Sequence, residues 1–492
     1  MSSVPTEGHV HALGAQLVGA RRVRRYSVPI VTGVVCFLDF TLLLVSAWLA
    51  AIALGTQGQV LSQSLMALSG TVGAGLGCIV LAIQHAYTID RLQSSWPQIR
   101  PIIKAVVLSV GAVIACLFLV NGETHPSRIF PFAFGVIALF LLATFRFGLR
   151  ELVLSWSKAG RFRRRVAVVA VSEFSQKFIE RLQTESDAFE IEGVYDDRIR
   201  SGRVPPLHAN VPVRGCVAEL VRDSREENFD LIVVALPLSA VDRISAVLEQ
   251  LRSTVADVCL TTDLAGLSYR GDQFGAVGSN PTISVDKIPL KDWQAAKKAG
   301  FDFFVGGIAL LILSPLLALL ALAIRLDSKG PILFRQPRLG FNNRMFICYK
   351  FRTMYADMSD LTTDKQTTRG DPRITRVGRW MRKLSLDELP QLFNVMNGTM
   401  SLVGPRPHAP NTKAADRLFA EVVKQYAVRH RVKPGITGWA QVNGWRGETT
   451  TVEQIENRVL CDLFYIDNWS LLFDIKIVAI TIVREIFSKN AF

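Results

Sequence analysis

Cysteine is scarce in this sequence, and the few cysteines form no pattern. Seven lie singly between Cys36 and Cys461, with no Cys-x-x-Cys pair, and three of them fall inside apolar stretches. The sequence therefore supports neither a disulfide framework nor a zinc site, and it fits a reducing, cytosolic environment. We also expect no cleavable signal peptide, because the N-terminus stays polar for about 20 residues before the first apolar run.

Acidic residues are the second shortfall. The chain has 42 Asp and Glu against 56 Lys and Arg, a formal charge of +14. This balance suits an anionic partner, whether nucleic acid, an anionic membrane leaflet or a phosphate-rich substrate. No nucleic-acid-binding motif occurs, so we expect no nucleic acid partner. The chain is also 49% hydrophobic over 492 residues, which predicts two or more domains with membrane segments among them.

Four long apolar runs fill the first third of the sequence, each near the roughly 20 residues that cross a bilayer as a helix. They are Val28–Leu54, Leu61–Ala86, Ile102–Val120 and Ile129–Phe145. We predict a four-helix transmembrane bundle at residues 26–150, preceded by a cytoplasmic tail at residues 1–25. Asp39 in the first run marks either a transport path or a polar group paired with a neighbouring helix, and we favour the pairing.

The charges of the connections predict how this bundle is oriented. Basic residues precede the first run, lie between the second and third runs, and follow the fourth. They are Arg21, Arg22, Arg24, Arg25, Arg91, Arg100, Lys104, Arg146, Arg150, Lys158, Arg161, Arg163, Arg164 and Arg165. By contrast Gly55–Val60 has no charge, and Asn121–Arg128 has only Glu123 and Arg128. By the positive-inside rule, both ends of the bundle are cytoplasmic.

A fifth apolar run, Phe303–Ile324, has basic residues on both sides. Ser314–Pro315 interrupts it near the middle, where proline removes a helix hydrogen bond and serine can satisfy part of the freed backbone. We predict a re-entrant membrane helix at residues 291–325 that enters the leaflet, turns at Ser314–Pro315 and returns. The alternative is a simple span, which would send everything after it to the outer face.

Between residues 163 and 286, apolar strand-like runs alternate with helix-like stretches, as in a parallel sheet covered by helices. The expected strands are Val166–Val171, Leu231–Leu236 and Val255–Leu260, and the expected helices are Phe174–Thr184, Val217–Arg225 and Ala240–Arg252. The first turn, from Ala170 to Ser175, lacks the glycines that let a backbone approach a pyrophosphate. We predict an α/β Rossmann-like cytosolic domain without a dinucleotide fingerprint, structural or regulatory in role.

Short motifs rich in charge and turn residues follow the fifth run. They are Tyr349-Lys350-Phe351-Arg352-Thr353-Met354, Arg379 with Arg382 and Lys383, Ser385-Leu386-Asp387-Glu388-Leu389-Pro390-Gln391, Gly404-Pro405-Arg406-Pro407, Lys433-Pro434-Gly435-Ile436-Thr437-Gly438-Trp439-Ala440-Gln441, and Asn443-Gly444-Trp445-Arg446-Gly447-Glu448. Taken singly, each has an ordinary structural interpretation. Ser385 and Glu388 match a helix capping box, for example, and a Gly-Pro pair is typical of a turn.

In this order and spacing, the segment from Lys291 to Phe492 closely resembles the catalytic domain of the monotopic polyprenyl-phosphate phosphoglycosyl transferases, the bacterial sugar transferase family. The resemblance implies an α-rich monotopic catalytic domain at residues 326–492. The upstream helices and middle domain resemble the architecture of the large members, such as the undecaprenyl-phosphate glucose phosphotransferases. The stretch from Asn443 to Glu448 is similar to the glucose-specific members.

The resemblance implies transfer of a sugar-1-phosphate, here glucose-1-phosphate, from a UDP-sugar to undecaprenyl phosphate with release of UMP. This step starts lipid-linked exopolysaccharide or capsule assembly. Asp387 is then the nucleophile that forms an aspartyl-phosphosugar intermediate, and Glu388 holds Mg²⁺. Cationic side chains offset the phosphate charge, and the candidates are Lys350, Arg352, Arg382 and Arg406. A structural role for one or two of these, Arg352 first, is the alternative.

A polyprenyl-phosphate substrate predicts a multi-pass protein of the bacterial inner membrane, with its catalytic domain on the cytoplasmic face and anionic inner-membrane lipids as partners. The stretch Leu471–Ile480, flanked by Trp469, Arg484 and Lys489, is either an interfacial helix or a buried core helix. The oligomeric state stays open, a homodimer included. The rival hypotheses are a transporter or sensor with a regulatory cytosolic domain, and an oxidoreductase that modifies nucleotide sugars. The missing glycine-rich turn weighs against the second.

Overall fold

The apolar runs of the sequence are helical in a computed structural model of the protein. The structure describes residues 25–54, 60–94, 96–120, 129–185, 187–205, 211–261, 275–278, 280–356, 371–408, 413–414, 417–418, 423, 425–445 and 451–487. The predicted tail before residue 25, most of both outer connections and the 446–448 part of the last motif lie outside these residues. The chain divides into two compact units, Met1–Arg163 and Arg164–Phe492, each with its own apolar core.

The first unit is helical throughout its regular structure. Its helices are α1 (Val28–Ala53), α2 (Val60–Ile83), α3 (Ile89–Gln93), α4 (Trp96–Val120) and α5 (Phe130–Lys158). The four long helices share one core that includes Leu43, Met66, Val113 and Phe134. Helix α5 continues well beyond the predicted end of the fourth run, so Arg146 and Arg150 are helical residues and not loop residues. That these helices cross a bilayer in the predicted orientation stays a prediction.

Asp39 of α1 is paired with a neighbouring helix, which confirms the interpretation we favoured. Its carboxylate lies 2.5 Å from Nη2 of Arg146 on α5, and the two side chains are 0% and 3% exposed. Arg146 also donates to the carbonyl of Ala86 at 3.1 Å. Because a buried charge is costly unless it is paired, this ion pair ties α1 to α5.

The second unit begins with a seven-stranded sheet, which we call the sheet domain. Its strands are β1 (Arg164–Val169), β2 (Phe189–Tyr195), β3 (Val213–Gly215), β4 (Leu231–Val234), β5 (Asp257–Thr261), β6 (Gly275–Val277) and β7 (Asn280–Asp286). Its helices are α6 (Glu173–Glu185), α7 (Val217–Glu227) and α8 (Val241–Leu251). The six elements that the sequence predicted lie within two residues of their expected bounds, the usual boundary uncertainty. They are β1, β4, β5, α6, α7 and α8. The sequence analysis predicted none of β2, β3, β6 and β7.

The sheet is mixed, whereas the sequence predicted a parallel one. The strand order is β3-β2-β1-β4-β5-β7-β6, and the first five strands run parallel to one another. Strand β7 runs antiparallel to both of its neighbours, β5 and β6. The reason is the connection between β6 and β7, which pairs Val277 with Asn280. So short a connection closes a hairpin, while parallel neighbours need a long crossover.

The carboxyl ends of β1, β2 and β4 meet at the switch point of the sheet, the usual nucleotide site of such folds. In this protein, side chains join these ends to one another. Asp196, after β2, is fully buried and accepts hydrogen bonds from the backbone N–H of Val171 at 2.8 Å, from Arg198 at 2.7 Å and from Arg243 at 3.0 Å. Ser172 Oγ, after β1, donates at 2.8 Å to the carbonyl of Ala235, after β4.

The fifth apolar run is part of one long helix, α9 (Trp293–Asp327), of 35 residues. The turn predicted at Ser314–Pro315 is not a break, because the helix continues through Pro315. Ser314 Oγ donates at 2.8 Å to the Leu311 carbonyl, the acceptor that proline leaves without its usual helical donor. The serine thus explains how the helix tolerates the proline, and a re-entrant path for it stays a prediction.

Short elements complete the second unit after α9. They are β8 (Leu333–Leu339), β9 (Met345–Phe351), α10 (Arg376–Lys383), α11 (Gln391–Met396), β10 (Ser401–Val403), β11 (Lys413–Ala414), β12 (Arg417–Leu418), β13 (Gly435–Thr437), α12 (Trp439–Val442), α13 (Val452–Asp467) and α14 (Leu471–Phe487). In helix α14, Ile477 is fully buried in the core while Leu472 is 78% exposed, and an interfacial position of the exposed side stays a prediction.

The buried ion pair of the first unit gives a stability prediction. We expect Arg146→Met to lower the free energy of unfolding by roughly 3–5 kcal/mol, because it leaves the Asp39 carboxylate buried without its cation. Thermal unfolding of the purified protein in detergent measures this. The double variant Asp39→Leu/Arg146→Met should recover most of the loss. Glu151→Gln, at a side chain that is 60% exposed, is the control and should change little. An Arg146→Met protein as stable as the wild type would contradict the importance of the pair.

Candidate active site

Asp387 and Glu388 lie in one 3₁₀ turn, Leu386–Glu388, between α10 and α11. Ser385 before it has a left-handed backbone with φ of 55°, and its side chain does not cap the turn. The capping-box interpretation of this segment is therefore wrong. Because successive residues of a 3₁₀ turn point about 120° apart, the two carboxylates face different surroundings.

Glu388 lies between two cations from different parts of the chain. Its Oε1 accepts from Lys350 Nζ at 2.8 Å, and both of its oxygens accept from the Arg406 guanidinium, at 2.5 and 3.0 Å. Burial by itself would raise the pKa of Glu388, but the charges and hydrogen bonds of Arg406 and Lys350 hold it well below its usual range. The negative charge of Glu388 and its hydrogen bonds to Arg406 in turn raise the pKa of Arg406. Glu388 is therefore a fully ionised, immobilised carboxylate.

Asp387 differs from its neighbour in every respect that matters for reactivity. Among the described residues, none donates a hydrogen bond to its carboxylate. Burial raises its pKa, Lys350 opposes this, and the negative charge of Glu388 raises it further. Arg382 also favours the charged form of Asp387. Asp387 is thus a carboxylate near several cations but with its oxygens available, as a nucleophile requires.

Arg406 is positioned by the close approach of two loops. Strands β10 and β13 pair in parallel, and Gly404 follows β10. A Cβ on Gly404 would lie 2.5 Å from the Lys433 carbonyl oxygen, and one on Gly435 would lie 2.1 Å from the nitrogen of Gly404. Only glycine fits at either position, so the Gly-Pro-Arg-Pro and Pro-Gly-Ile-Thr-Gly motifs form one packed unit that presents Arg406.

The remaining two predicted cations have different surroundings. Arg382 Nε donates to Thr353 Oγ1 at 2.8 Å, and the Asp387 charge opposes the lowering of its pKa by burial. Arg352 is only 4% exposed and donates to the carbonyls of Ser328 and Lys329 at 2.7 and 2.8 Å. The structure therefore joins Arg352 to the C-terminal end of α9, whereas Lys350, Arg382 and Arg406 surround the dyad.

Two arginines that the sequence did not single out hold the backbone of the Arg406 loop. Arg429 donates to the carbonyl of Arg406 at 2.7 Å, and Arg338 donates to that of Pro407 at 2.7 Å. Neither belongs to a short motif around the dyad. No local pattern identifies them, because their role depends on which loops pack together.

Known proteins share both the sequence and the arrangement of these motifs. A family model described as bacterial sugar transferase matches residues 293–488. The chain is 45% identical over 195 residues to the exopolysaccharide production protein PSS of Rhizobium leguminosarum bv. phaseoli, covering 98% of that relative and 40% of this chain. The chain belongs to the bacterial sugar transferase family.

Larger relatives match more of this chain. It is 46% identical over 334 residues to the undecaprenyl-phosphate glucose phosphotransferase of Komagataeibacter xylinus, covering 68% of this chain and 61% of the relative. It is 38% identical over 304 residues to the UDP-glucose:undecaprenyl-phosphate glucose-1-phosphate transferase of Escherichia coli K12, covering 62% of this chain and 63% of the relative. The match thus spans about three fifths of each larger relative.

A second model, described as CoA-binding domain, matches residues 82–261 of the chain. The described residues do not fit a pyrophosphate-containing cofactor at the switch point of the sheet. Asp196 is buried and engaged with Val171, Arg198 and Arg243, and Ser172 is bonded to Ala235. Glu173 also places a negative charge at the start of α6, where a pyrophosphate would be repelled.

The position of Arg352 predicts a structural role for it in this protein. We expect Arg352→Met to lower the free energy of unfolding by about 1.5–3 kcal/mol, since it removes charged hydrogen bonds from a buried side chain to the carbonyls at the end of α9. The Michaelis constant for the nucleotide sugar should stay unchanged. Thermal unfolding and initial rates measure the two effects. Arg335→Met, an exposed position on β8, is the control. Unchanged stability with a raised Michaelis constant would instead make Arg352 a phosphate ligand.

Proposed function

We propose that this protein transfers glucose-1-phosphate from UDP-glucose to undecaprenyl phosphate, releases UMP, and so starts exopolysaccharide or capsule assembly. The functions for which its large relatives are named support the two substrates. The name of the short Rhizobium relative supports the pathway. The carrying observation is the Asp387–Glu388 turn, in which Glu388 is ion-paired and Asp387 is left available among cations.

The difference between the ion-paired Glu388 and the available Asp387 carboxylate supports a covalent mechanism. Asp387 attacks the sugar-linked phosphorus of UDP-glucose, and the bond from that phosphorus to the bridging oxygen breaks, so that UMP leaves with its electron pair. The resulting aspartyl-phosphosugar is attacked by a phosphate oxygen of the lipid. The bond from phosphorus to Asp387 then breaks and regenerates the carboxylate. Attack of one anion on another requires positive charge nearby, which Lys350, Arg382 and Arg406 supply.

The dyad also fits a divalent cation by its chemistry. No group of three His, Cys, Asp or Glu side chains that could hold a metal occurs in the part of the chain that the structure describes. Mg²⁺ does not need such a group, because it is commonly bound by one or two carboxylates together with substrate phosphates. Glu388 and Asp387 would provide those oxygens. When bound, Mg²⁺ would neutralise phosphate charge alongside Arg406 and Lys350.

The location of the site is proposed to be the cytoplasmic face of the inner membrane. The part of the chain that the structure describes has five helices long and apolar enough to cross a membrane, including α9. Residues on both sides of Pro315 pack on the elements around the dyad: Val305 packs on the apolar cluster that includes Val395, and Ile324 lies in a second cluster with Met381. This packing favours a helix that dips into one leaflet and keeps Asp387 at the depth of the lipid phosphate.

The nucleophile gives the decisive test. We expect Asp387→Asn to reduce sugar-phosphate transfer by a factor on the order of 10³ or more, because an amide cannot form the covalent intermediate. Transfer of label from UDP-glucose, labelled in its sugar-linked phosphate, to undecaprenyl phosphate measures this. The wild type should also retain label on the protein when lipid is omitted, and the variant should not. Asp467→Asn, exposed at the end of α13, is the control. Near-normal turnover by Asp387→Asn would exclude this residue as the nucleophile.

The raised pKa of Asp387 predicts how activity depends on pH. Attack requires the carboxylate, so kcat/KM should fall as pH drops through that pKa. Arg382 favours the charged form of Asp387, so Arg382→Gln should raise the pKa further. The acidic limb of the pH profile should then move to higher pH. Arg379→Gln, exposed on the same helix, should leave the limb in place. A limb that moves to lower pH in Arg382→Gln would contradict this assignment.

A further inference from the structure

A short 3₁₀ turn, Tyr426–Arg431, lies between the sheet domain and the Arg406 loop. It ends in three consecutive basic residues, Arg429, His430 and Arg431, which we call the basic junction. Their exposures are 1%, 5% and 6%, unusually low for such residues. Burying a basic side chain costs free energy unless it is hydrogen-bonded or ion-paired. The hydrogen-bond and ion-pair partners of these three residues therefore indicate what the junction does.

The inner partner of the junction is the catalytic loop. Arg429 Nη2 lies 2.7 Å from the Arg406 carbonyl oxygen and 2.8 Å from Asp462, and its Nη1 donates to His408 Nδ1 at 2.7 Å. The Arg406 side chain in turn holds both oxygens of Glu388. Arg429 therefore fixes the backbone from which the Glu388 contact extends, without touching the dyad itself.

The outer partners of the junction belong to the sheet domain. Arg431 donates to both carboxylate oxygens of Asp286, the last residue of β7, at 2.9 and 2.7 Å, and to the Lys287 carbonyl at 2.7 Å. Both carboxylate contacts come from Nη1, while Nη2 holds the Lys287 carbonyl, so charge-assisted hydrogen bonds to two adjacent residues fix the guanidinium at the end of β7. Arg431 is two residues from Arg429 in the same 3₁₀ turn. The turn is therefore bonded to the end of β7 through Arg431 and to the Arg406 backbone through Arg429.

A second link reaches the junction through the β8–β9 connection. His430 Nδ1 donates to Asn343 Oδ1 at 2.5 Å. Burial, together with Arg429, lowers the pKa of His430 to about 3, so its ring is neutral. The preceding residue, Asn342, is buried and donates to the Ser224 carbonyl at 2.9 Å near the end of α7. Arg344 donates to Asn228 Oδ1 at 2.6 Å at the same helix end.

We propose that the basic junction is a positioning device through which the sheet domain holds Arg406 on Glu388. The sheet domain thereby supports turnover by docking and not by binding a nucleotide at its switch point. Arg429, His430 and Arg431 are positioning residues, because they act on the reacting groups only through Arg406. This inference rests on the proposed function, in which Arg406 and Glu388 handle the phosphates.

Reversal of the outer ion pair tests the proposal in the full-length protein in detergent or vesicles. Arg431→Asp places two acids together and should reduce kcat roughly 2- to 30-fold, the range found for residues that act through a network. The Michaelis constant for UDP-glucose should change less than twofold, on the order of the measurement error in such a comparison. Arg431→Asp/Asp286→Arg restores an opposite-charge pair and should recover most of the loss. Lys177→Asp, the same charge change on exposed α6, should have no effect.

Amide hydrogen exchange of residues 401–408 provides a readout that does not depend on activity. Exchange there should accelerate in Arg431→Asp and return towards the wild-type rate in the double variant. Asp286→Asn, which keeps the side-chain volume, gives a milder version if Arg431→Asp does not fold. An Arg431→Asp protein with unchanged kcat, or a double variant as impaired as the single one, would overturn the proposal. A wild type that transfers no sugar phosphate would overturn the proposed function instead, and the exchange data would still report on the docking.

Discussion

The contact on which the rest of the site depends is the buried Glu388 carboxylate between Lys350 and Arg406. Without that negative charge, the two cations would repel each other and each would be desolvated without a partner. Lys350 comes from β9 and Arg406 from the loop after β10, so one carboxylate joins two otherwise separate elements. The result is a site in which positive charge is already in place before a phosphate arrives, as electrostatic stabilisation of a transition state requires.

The same contact explains how two adjacent acids come to differ. Glu388 takes the hydrogen bonds of both cations, and its pKa falls, while Asp387 has only their charges at a distance, and its pKa rises. Environments that move neighbouring titratable groups in opposite directions are a common sign of separate chemical roles. The 3₁₀ turn makes this possible, because a regular helix start capped by Ser385 would have directed the Glu388 side chain back to the backbone N–H of Ser385.

Local patterns predicted what local physics controls. The periodicity of the sequence predicted the bounds of β1, β4 and α8 to within two residues. The ordered motifs predicted that Lys350, Asp387, Glu388 and Arg406 share one site. The features that the sequence left open or missed depend on contacts between distant segments. Arg352 caps a helix end 24 residues away, and Arg429 holds a carbonyl 23 residues away, so nothing in the flanking sequence reveals either partner. The continuity of α9 likewise depends on one hydroxyl that replaces the donor that proline lacks.

The packing of α9 on the rest of the second unit constrains its course more than its hydropathy does. A straight helix of 35 residues is roughly 50 Å long, more than enough to cross a hydrocarbon core of roughly 30 Å. A crossing helix, however, would leave its middle and one end surrounded by lipid. In α9, Val305 packs on the apolar cluster that includes Val395, and Ile324 packs in the cluster that includes Met381, while Leu311 and Leu319 are 76% and 65% exposed. One side of the helix thus packs on the second unit along most of its length, which favours a path that dips into one leaflet over a path through the bilayer.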